Sequence, residues 1–68
     1  MTDDEIAAAL KQCERPARWL NYATVSVARL AAGGADVDEI ESWVVAHDGK
    51  RVRSPESFQI PRAVFDAL

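Results

Sequence analysis

The segment from residue 34 to residue 49 carries start and stop signals for one helix, and these signals constrain the fold more than any other feature of the chain. Asp36 and Glu39 have the spacing of a capping box, in which each side chain accepts a hydrogen bond from an unpaired backbone amide at the helix start. Gly49 supplies the stop, because glycine readily adopts the backbone that ends a helix. The apolar residues that share one side of this segment are Val37, Ile40 and Val44. We therefore expect a capped amphipathic helix that buries this side.

The opposite side of the same helix is acidic. It presents Asp38, Glu41 and Val45, and residues 36 to 48 contain five acidic residues and no Lys or Arg. Capping and the helix dipole explain the carboxylates of the first turn. The combination of charge with an outward valine makes Asp38, Glu41 and Val45 candidates for binding a protein partner.

The length of the chain favours association. A domain of 68 residues has a marginal core, and domains of this size without a disulfide or a metal often gain stability by binding a partner. Cys13 is the single cysteine, so no intrachain disulfide can form. We expect one small domain, residues 1–68, that binds a protein partner, a second copy of itself, or both.

The sequence shows no pattern typical of a secretory signal or of a membrane-spanning segment. The first residues are acidic where a secretory signal is basic, and no apolar run approaches the roughly 20 residues that span a bilayer. We expect a cytoplasmic protein that does not bind membranes.

Two further helices are expected before residue 34. Thr2 and Glu5 have the spacing of another capping box, and the helix that they start ends before Pro16. The segment Ala17 to Ala32 contains no helix breaker, and Gly33-Gly34 supplies a stop after it. This second helix is expected to be the centre of the core.

The exposed side of the expected second helix is another candidate surface. Arg18, Tyr22 and Val25 fall on it at helical spacing. Tyr and Arg are the residue types that dominate binding hot spots, which favours a contact surface. The alternative is a solvated helix face with an incidental Tyr.

After Gly49 the pattern changes from helical to alternating, which predicts a β-hairpin over residues 50–60. The alternation directs Val52, Phe58 and Ile60 to the core, and it directs Arg51, Arg53 and Gln59 to water. A short last helix is expected from Arg62 to Leu68. The predicted fold class is mainly α, with a three-helix core followed by a short wing-like hairpin and a short C-terminal helix.

Residues 24–68 resemble the winged-helix DNA-binding domains of the excisionase and MerR-like group. The matching stretches are Ala28-Arg29-Leu30 with Gly33-Gly34, Val37 to Trp43 with Gly49, Lys50-Arg51-Val52-Arg53, and Phe58-Gln59-Ile60-Pro61-Arg62-Ala63-Val64. The resemblance implies a helix-turn-helix followed by a basic wing that contacts DNA. The residues that it assigns to nucleic-acid binding are Lys50, Arg51, Arg53 and Arg62.

The acidic helix conflicts with that implication. In this group the helix before the wing enters the major groove, where phosphates repel carboxylates. Here that helix is the one with five acidic residues. The wing cations therefore either make phosphate contacts or pair with the acidic helix beside them.

No combination of residues points to catalysis, a metal or a cofactor. Ser42 and Ser54 have no recognisable base, and His47 is the single histidine with no ligand-spaced Cys or His near it. A chain of this size also has little room for a small-molecule pocket. We expect neither a catalytic residue nor a bound metal.

Three functions follow from these patterns. The first is a small non-enzymatic regulatory or adaptor protein that binds another protein, one form of which inhibits a nucleic-acid-binding partner through the acidic helix. The second is an excisionase-type DNA-binding protein that uses the wing. The third is an assembly or capping component of a larger particle, with Trp19, Tyr22 or Val25 buried between subunits.

Overall fold

The structure, a computed structural model, describes residues 1–15, 21–53 and 56–68. Its helices and strands, in chain order, are α1 (Asp3–Gln12), β1 (Glu14–Arg15), β2 (Tyr22–Ser26), α2 (Val27–Ala32), α3 (Val37–Ala46), β3 (Lys50–Arg53), β4 (Glu56–Pro61) and α4 (Arg62–Asp66). The strands form one antiparallel sheet in the order β1-β2-β4-β3. The predicted mainly α fold with a three-helix core is therefore wrong, because the sheet forms one wall of the core.

The largest error concerns the expected helix from Ala17 to Ala32. Residues 22–26 form strand β2, and helix α2 begins only at Val27. Ala23 and Val25 are fully buried and alternate with half-buried residues, which is the burial pattern of a strand with one covered face. The strand is held by pairing with β4 along its whole length. Arg18, the first residue of the expected contact surface, and Trp19 lie outside the described residues.

The ends of α2 follow local signals. Ser26 caps the helix, since its Oγ accepts a hydrogen bond from the Arg29 backbone amide at 3.3 Å. The predicted stop at Gly33-Gly34 is confirmed. Gly34 has a φ of 81°, and the next amide, that of Ala35, donates to the Leu30 carbonyl at 3.1 Å. This geometry is the Schellman motif that ends many helices.

Helix α1 begins as predicted. The Thr2 side chain accepts from the Glu5 amide, and the Glu5 carboxylate accepts from the Thr2 amide at 2.9 Å, so the capping box is confirmed. Ile6 and Leu10 of this helix are buried.

The sheet has an inner face that is covered and an outer face that is not part of the core. Residues directly opposite each other in antiparallel strands point to the same side. Val25 and Phe58 are such partners and are both fully buried, so they mark the inner face. Residues of all four described helices join them in one core, whose members are Ile6, Leu10, Ala23, Val25, Val27, Leu30, Ile40, Val44, Phe58, Ile60 and Phe65.

The predicted hairpin of β3 and β4 is confirmed, but its expected orientation is wrong in β3. Arg51 pairs with Phe58 and therefore lies on the inner face, whereas Val52 pairs with Ser57 and lies on the outer face. Phe58 and Ile60 are buried as predicted. Arg51 and Val52 thus lie on the faces opposite to those predicted, and the guanidinium of Arg51 lies on the side of the sheet that the helices cover.

Candidate partner-binding surface

Helix α3 is fixed firmly at its start. The Asp36 Oδ1 accepts a hydrogen bond from the Glu39 amide at 3.1 Å, which satisfies one of the unpaired amides of the first turn. The Glu39 carboxylate, which the capping box directs to the Asp36 backbone, instead accepts from the Met1 ammonium at 2.6 Å. This hydrogen bond raises the pKa of the Met1 amino group. The start of α3 is thereby tied to the start of α1.

The end of α3 is also fixed, and Gly49 acts there in a different way from the one predicted. Asp48 is the residue with a left-handed backbone, at a φ of 68°. Its amide donates to the Val45 carbonyl at 3.2 Å, and the Gly49 amide donates to the Val44 carbonyl at 2.8 Å, which again is a Schellman motif. Gly49 is needed for space, because a Cβ there would lie 2.7 Å from the backbone oxygen of Gln59.

The buried apolar residues of α3 determine which side of the helix faces outward. Ile40 and Val44 are fully buried against the sheet. The outward residues of α3 are Asp38, Glu41, Ser42, Val45 and Ala46. We call this set the α3 face. It contains all three residues of the acidic helix that the sequence indicates for partner binding.

Val45 is the apolar centre of the α3 face. Val45 is 59% exposed, and among the described residues Met1 is the only other large apolar residue that is exposed. A single exposed valine is ordinary on a protein surface. Here it adjoins the carboxylates of Asp38 and Glu41 on a helix whose two ends and inner side are all anchored.

Glu41 is not a free carboxylate. It accepts a hydrogen bond from Arg51 Nη1 at 2.6 Å, while Arg51 Nη2 donates to Glu56 at 2.6 Å. The hydrogen bond to Glu41 raises the pKa of Arg51 most, and the hydrogen bond to Glu56 raises it further. Asp38 is exposed and has no ion pair within the described part of the chain. Asp38 is therefore the unneutralised charge of the α3 face.

At Tyr22 and Val25, its two described residues, the second predicted surface is not formed. Val25, expected on the exposed side of a helix, is fully buried in the sheet. Tyr22 is half-buried and lies on the outer face of the sheet, since it is the partner of Pro61 and alternates with Ala23. The helix on which this surface depended does not exist at these positions.

The four predicted nucleic-acid contacts fall into two classes. Arg51 is held by its two glutamates, and Arg62 donates to Glu14 at 3.1 Å and to the Tyr22 carbonyl at 3.3 Å. Lys50 and Arg53 are exposed, and neither forms an ion pair with a described residue. Two cations of the wing region are thus available to solvent, and two hold the fold together.

The sequence could not assign the partners of Arg51 and Arg62, because both depend on strand register. A one-residue change in register moves every side chain of a strand to the other face. The alternation in Lys50–Arg53 fits either orientation, because only Val52 is apolar. Charge complementarity between residues 36–48 and residues 49–53 was the one signal for the Glu41–Arg51 pair.

His47 packs against its own helix and contacts Trp43. Its ring stacks on Trp43 with centroids 3.9 Å apart, and its Nδ1 lies 2.7 Å from the Trp43 carbonyl oxygen. No group of three His, Cys, Asp or Glu side chains that could hold a metal ion occurs among the described residues. Likewise, none of the helices in the described ranges has the length and apolar character to cross a membrane.

None of the protein-family models, curated proteins and solved structures that were searched matches this chain.

Proposed function

We propose that the protein is a non-enzymatic regulatory or adaptor protein that binds another protein through the α3 face. The single observation that carries this proposal is the position of Val45, 59% exposed, beside Asp38 and Glu41 on a helix anchored at both ends. Burial of an exposed apolar residue on binding contributes to affinity. Charges at fixed positions beside it orient the partner. A rigid helix also loses little conformational entropy when it binds.

The charge of the α3 face selects the class of partner. A cationic surface is attracted to Asp38, and it can also contact Glu41. A second copy of the same face is disfavoured, because two copies of α3 would bring carboxylates together and residues 36–48 contain no Lys or Arg to offset them. The proposed partner is therefore a different, basic protein surface.

One form of this function is inhibition of a nucleic-acid-binding protein. Such a protein exposes cations that ordinarily meet phosphates. The carboxylates of the α3 face would form ion pairs with these cations in place of phosphate. The proposal also includes a cytoplasmic location.

A pair of charge reversals tests the proposal. Asp38 is the second residue of α3 and Asp4 is the second residue of α1. Asp38→Lys and Asp4→Lys therefore change the net charge equally and disturb a helix dipole at the same position, by about 0.3–1 kcal/mol each. Only the first alters the α3 face. Val45→Ser removes the apolar centre without changing the charge.

The tagged wild-type protein and these variants are used to capture proteins from an extract of the source cells, with identification by mass spectrometry. A protein retained by wild type and by Asp4→Lys, and lost from Asp38→Lys and Val45→Ser, supports the proposal. Retention of the same proteins by every variant, or of none by wild type, rejects the α3 face as a binding surface.

DNA binding is the second candidate, and the order of elements favours it. A strand, two helices and a two-stranded hairpin follow one another as β2, α2, α3, β3 and β4, and β4 lies between β2 and β3 in the sheet. This order agrees with the winged-helix resemblance. Lys50 and Arg53 are the wing cations without ion pairs among the described residues.

Electrophoretic mobility shifts with duplex DNA over a salt series test this alternative. Two phosphate contacts predict a dependence of log K on log salt with a slope of about −2. Loss of retardation in a Lys50→Gln/Arg53→Gln variant supports DNA binding by the wing. The absence of retardation of wild type at low salt rejects it.

A further inference from the structure

Arg51 links the α3 face to the hairpin through three contacts. Its guanidinium donates to Glu41 and to Glu56, both at 2.6 Å, and lies 6.0 Å from the centre of the Phe58 ring. The side chain of Arg51 is 30% exposed and that of Glu41 is 37% exposed. The cation is therefore accessible at the rim of the surface that we propose to bind a partner.

This arrangement has opposite consequences for two kinds of ligand. A phosphate can use Arg51 only in competition with two carboxylates that already hold both ends of its guanidinium. A cationic partner that reaches Glu41 meets a carboxylate that already accepts a hydrogen bond from Arg51, and it approaches a positive charge as it does so. Arg51 thus disfavours both nucleic acid at the wing and cations at one side of the α3 face.

We propose that Arg51 is a specificity-determining residue of the α3 face, which screens Glu41 and so reserves the face for partners with a cation placed against Asp38. The inference rests on the proposed function, since it concerns the same surface. The partner class is a basic protein segment whose principal cation lies about 10 Å from the apolar residue that covers Val45. This distance follows from the separation of seven residues from Asp38 to Val45, about two turns of the helix.

The chain offers a matched control for Arg51. Arg53 lies on the same strand and the same inner face, about 7 Å farther along. Arg53 is exposed and has no ion pair with a described residue. Arg51→Gln and Arg53→Gln therefore remove one positive charge each, and only the first releases Glu41.

The experiment measures the affinity of each variant for a defined probe, a synthetic helical peptide of arginine and leucine, by isothermal titration calorimetry. Loss of a unit charge at about 6 Å from the bound cation in water predicts a roughly threefold gain in affinity for Arg51→Gln. Arg53→Gln is expected to change the affinity by less than half as much on a logarithmic scale, because its charge is farther away and screened by salt. Folding of each variant is checked by its amide NMR spectrum.

A second readout uses wild-type protein, so it does not depend on a substitution. The Nε–Hε NMR signal of Arg51 is expected to shift no more than that of Arg62 when the peptide is added, since the peptide cation lies against Asp38 and Arg51 keeps its hydrogen bond to Glu41. The corresponding signal of Arg62, which is held by other carboxylates, is the internal reference.

The outcomes separate this inference from the proposed function. Equal gains for Arg51→Gln and Arg53→Gln, or an Arg51 signal that shifts far more than that of Arg62 on binding, overturn the role of Arg51. If Asp38→Lys binds the peptide as tightly as Asp4→Lys does, the α3 face itself is rejected. Weak binding by Asp38→Lys together with equal effects of the two Arg variants rejects the inference and retains the face.

Discussion

The tight turn between α3 and β3 gives a prediction whose magnitude can be worked from distances. Replacing Gly49 by Ala places a Cβ 2.5 Å from Val44 Cγ1 and 2.7 Å from the Gln59 carbonyl oxygen. Val44 is fully buried, so its side chain cannot move without leaving its packed position. Gln59 lies in β4, whose neighbours β2 and β3 pair with it on both sides, so its backbone cannot withdraw freely.

The expected loss combines two opposing effects. Inserting a methyl group into a packed site costs about 1–3 kcal/mol, and restricting the unfolded chain by a Gly→Ala change returns about 0.4–1 kcal/mol. Because both contacts are shorter than 3.0 Å, the cost lies near the upper end of its range, and we expect Gly49→Ala to lower the free energy of unfolding by about 2 kcal/mol. For a domain of this size the loss corresponds to a fall in Tm of about 8–16 °C.

The other glycines provide internal controls. A Cβ at Gly33 would meet its neighbours at 3.5 Å or more, which is ordinary contact, so Gly33→Ala is expected to be neutral or slightly stabilising. Gly34 has open space but a φ of 81°, so Gly34→Ala is expected to cost about 1 kcal/mol through backbone strain.

Urea unfolding monitored by Trp fluorescence measures all three variants. The structure predicts the stability order Gly33→Ala, Gly34→Ala, Gly49→Ala, from highest to lowest. A Gly49→Ala protein within about 0.5 kcal/mol of wild type contradicts the packing of α3 against β4.

Three further substitutions test the anchors of the fold. Asp48→Gly is expected to raise stability by about 0.5–1 kcal/mol in urea unfolding, because glycine adopts the φ of 68° without strain; a loss of stability contradicts this. The hydrogen bond from the Thr2 backbone lowers the pKa of Glu5. The ionised Glu5 carboxylate therefore stabilises the fold at pH values above the ordinary pKa of a Glu side chain, about 4.3, and this stabilisation is lost as the pH falls below that value. Thermal unfolding of Glu5→Gln should therefore converge with that of wild type at low pH, and a constant difference down to low pH counts against the capping box. Arg62→Met is expected to lose about 1 kcal/mol by urea unfolding, because Arg62 bridges Glu14 and the Tyr22 carbonyl; unchanged stability with weakened DNA retardation would instead assign Arg62 to the wing.

Local signals predicted the parts of the fold that are formed by nearby residues. The box at Thr2 and Glu5 starts α1, Asp36 caps α3, and the alternation after Gly49 gives the hairpin. Each of these features is determined within a few residues, by the geometry of one helix turn or one strand pair.

Strand β2 was missed because its sequence fits two periods at once. Ala23, Val27 and Leu30 share a helical face with Leu20, so the helix pattern continues across residues that form a strand. The deciding factor is the pairing with β4, whose residues lie more than thirty positions away in sequence. The local signal for the strand was the cap residue Ser26, which starts α2 only if the residues before it are not helical.

The candidate surface shows the same division. The outward position of Asp38, Glu41 and Val45 follows from the helical period and was predicted. Pairing of the wing cations with the acidic helix was one of two expected alternatives, but the specific pair of Glu41 with Arg51 could not be named, because it depends on which face of β3 points to the helices. Sequence periodicity thus predicts which residues of α3 are exposed, whereas strand register determines their charge environment.

The most direct test of the central claim is an NMR titration of the isotope-labelled protein with the captured partner, or with the arginine-leucine peptide. Binding through the α3 face predicts that the largest amide shifts fall within residues 38–46. Shifts concentrated on the outer face of the sheet, around Thr24, Lys50 and Gln59, would contradict the claim and move the binding surface to the other side of the molecule.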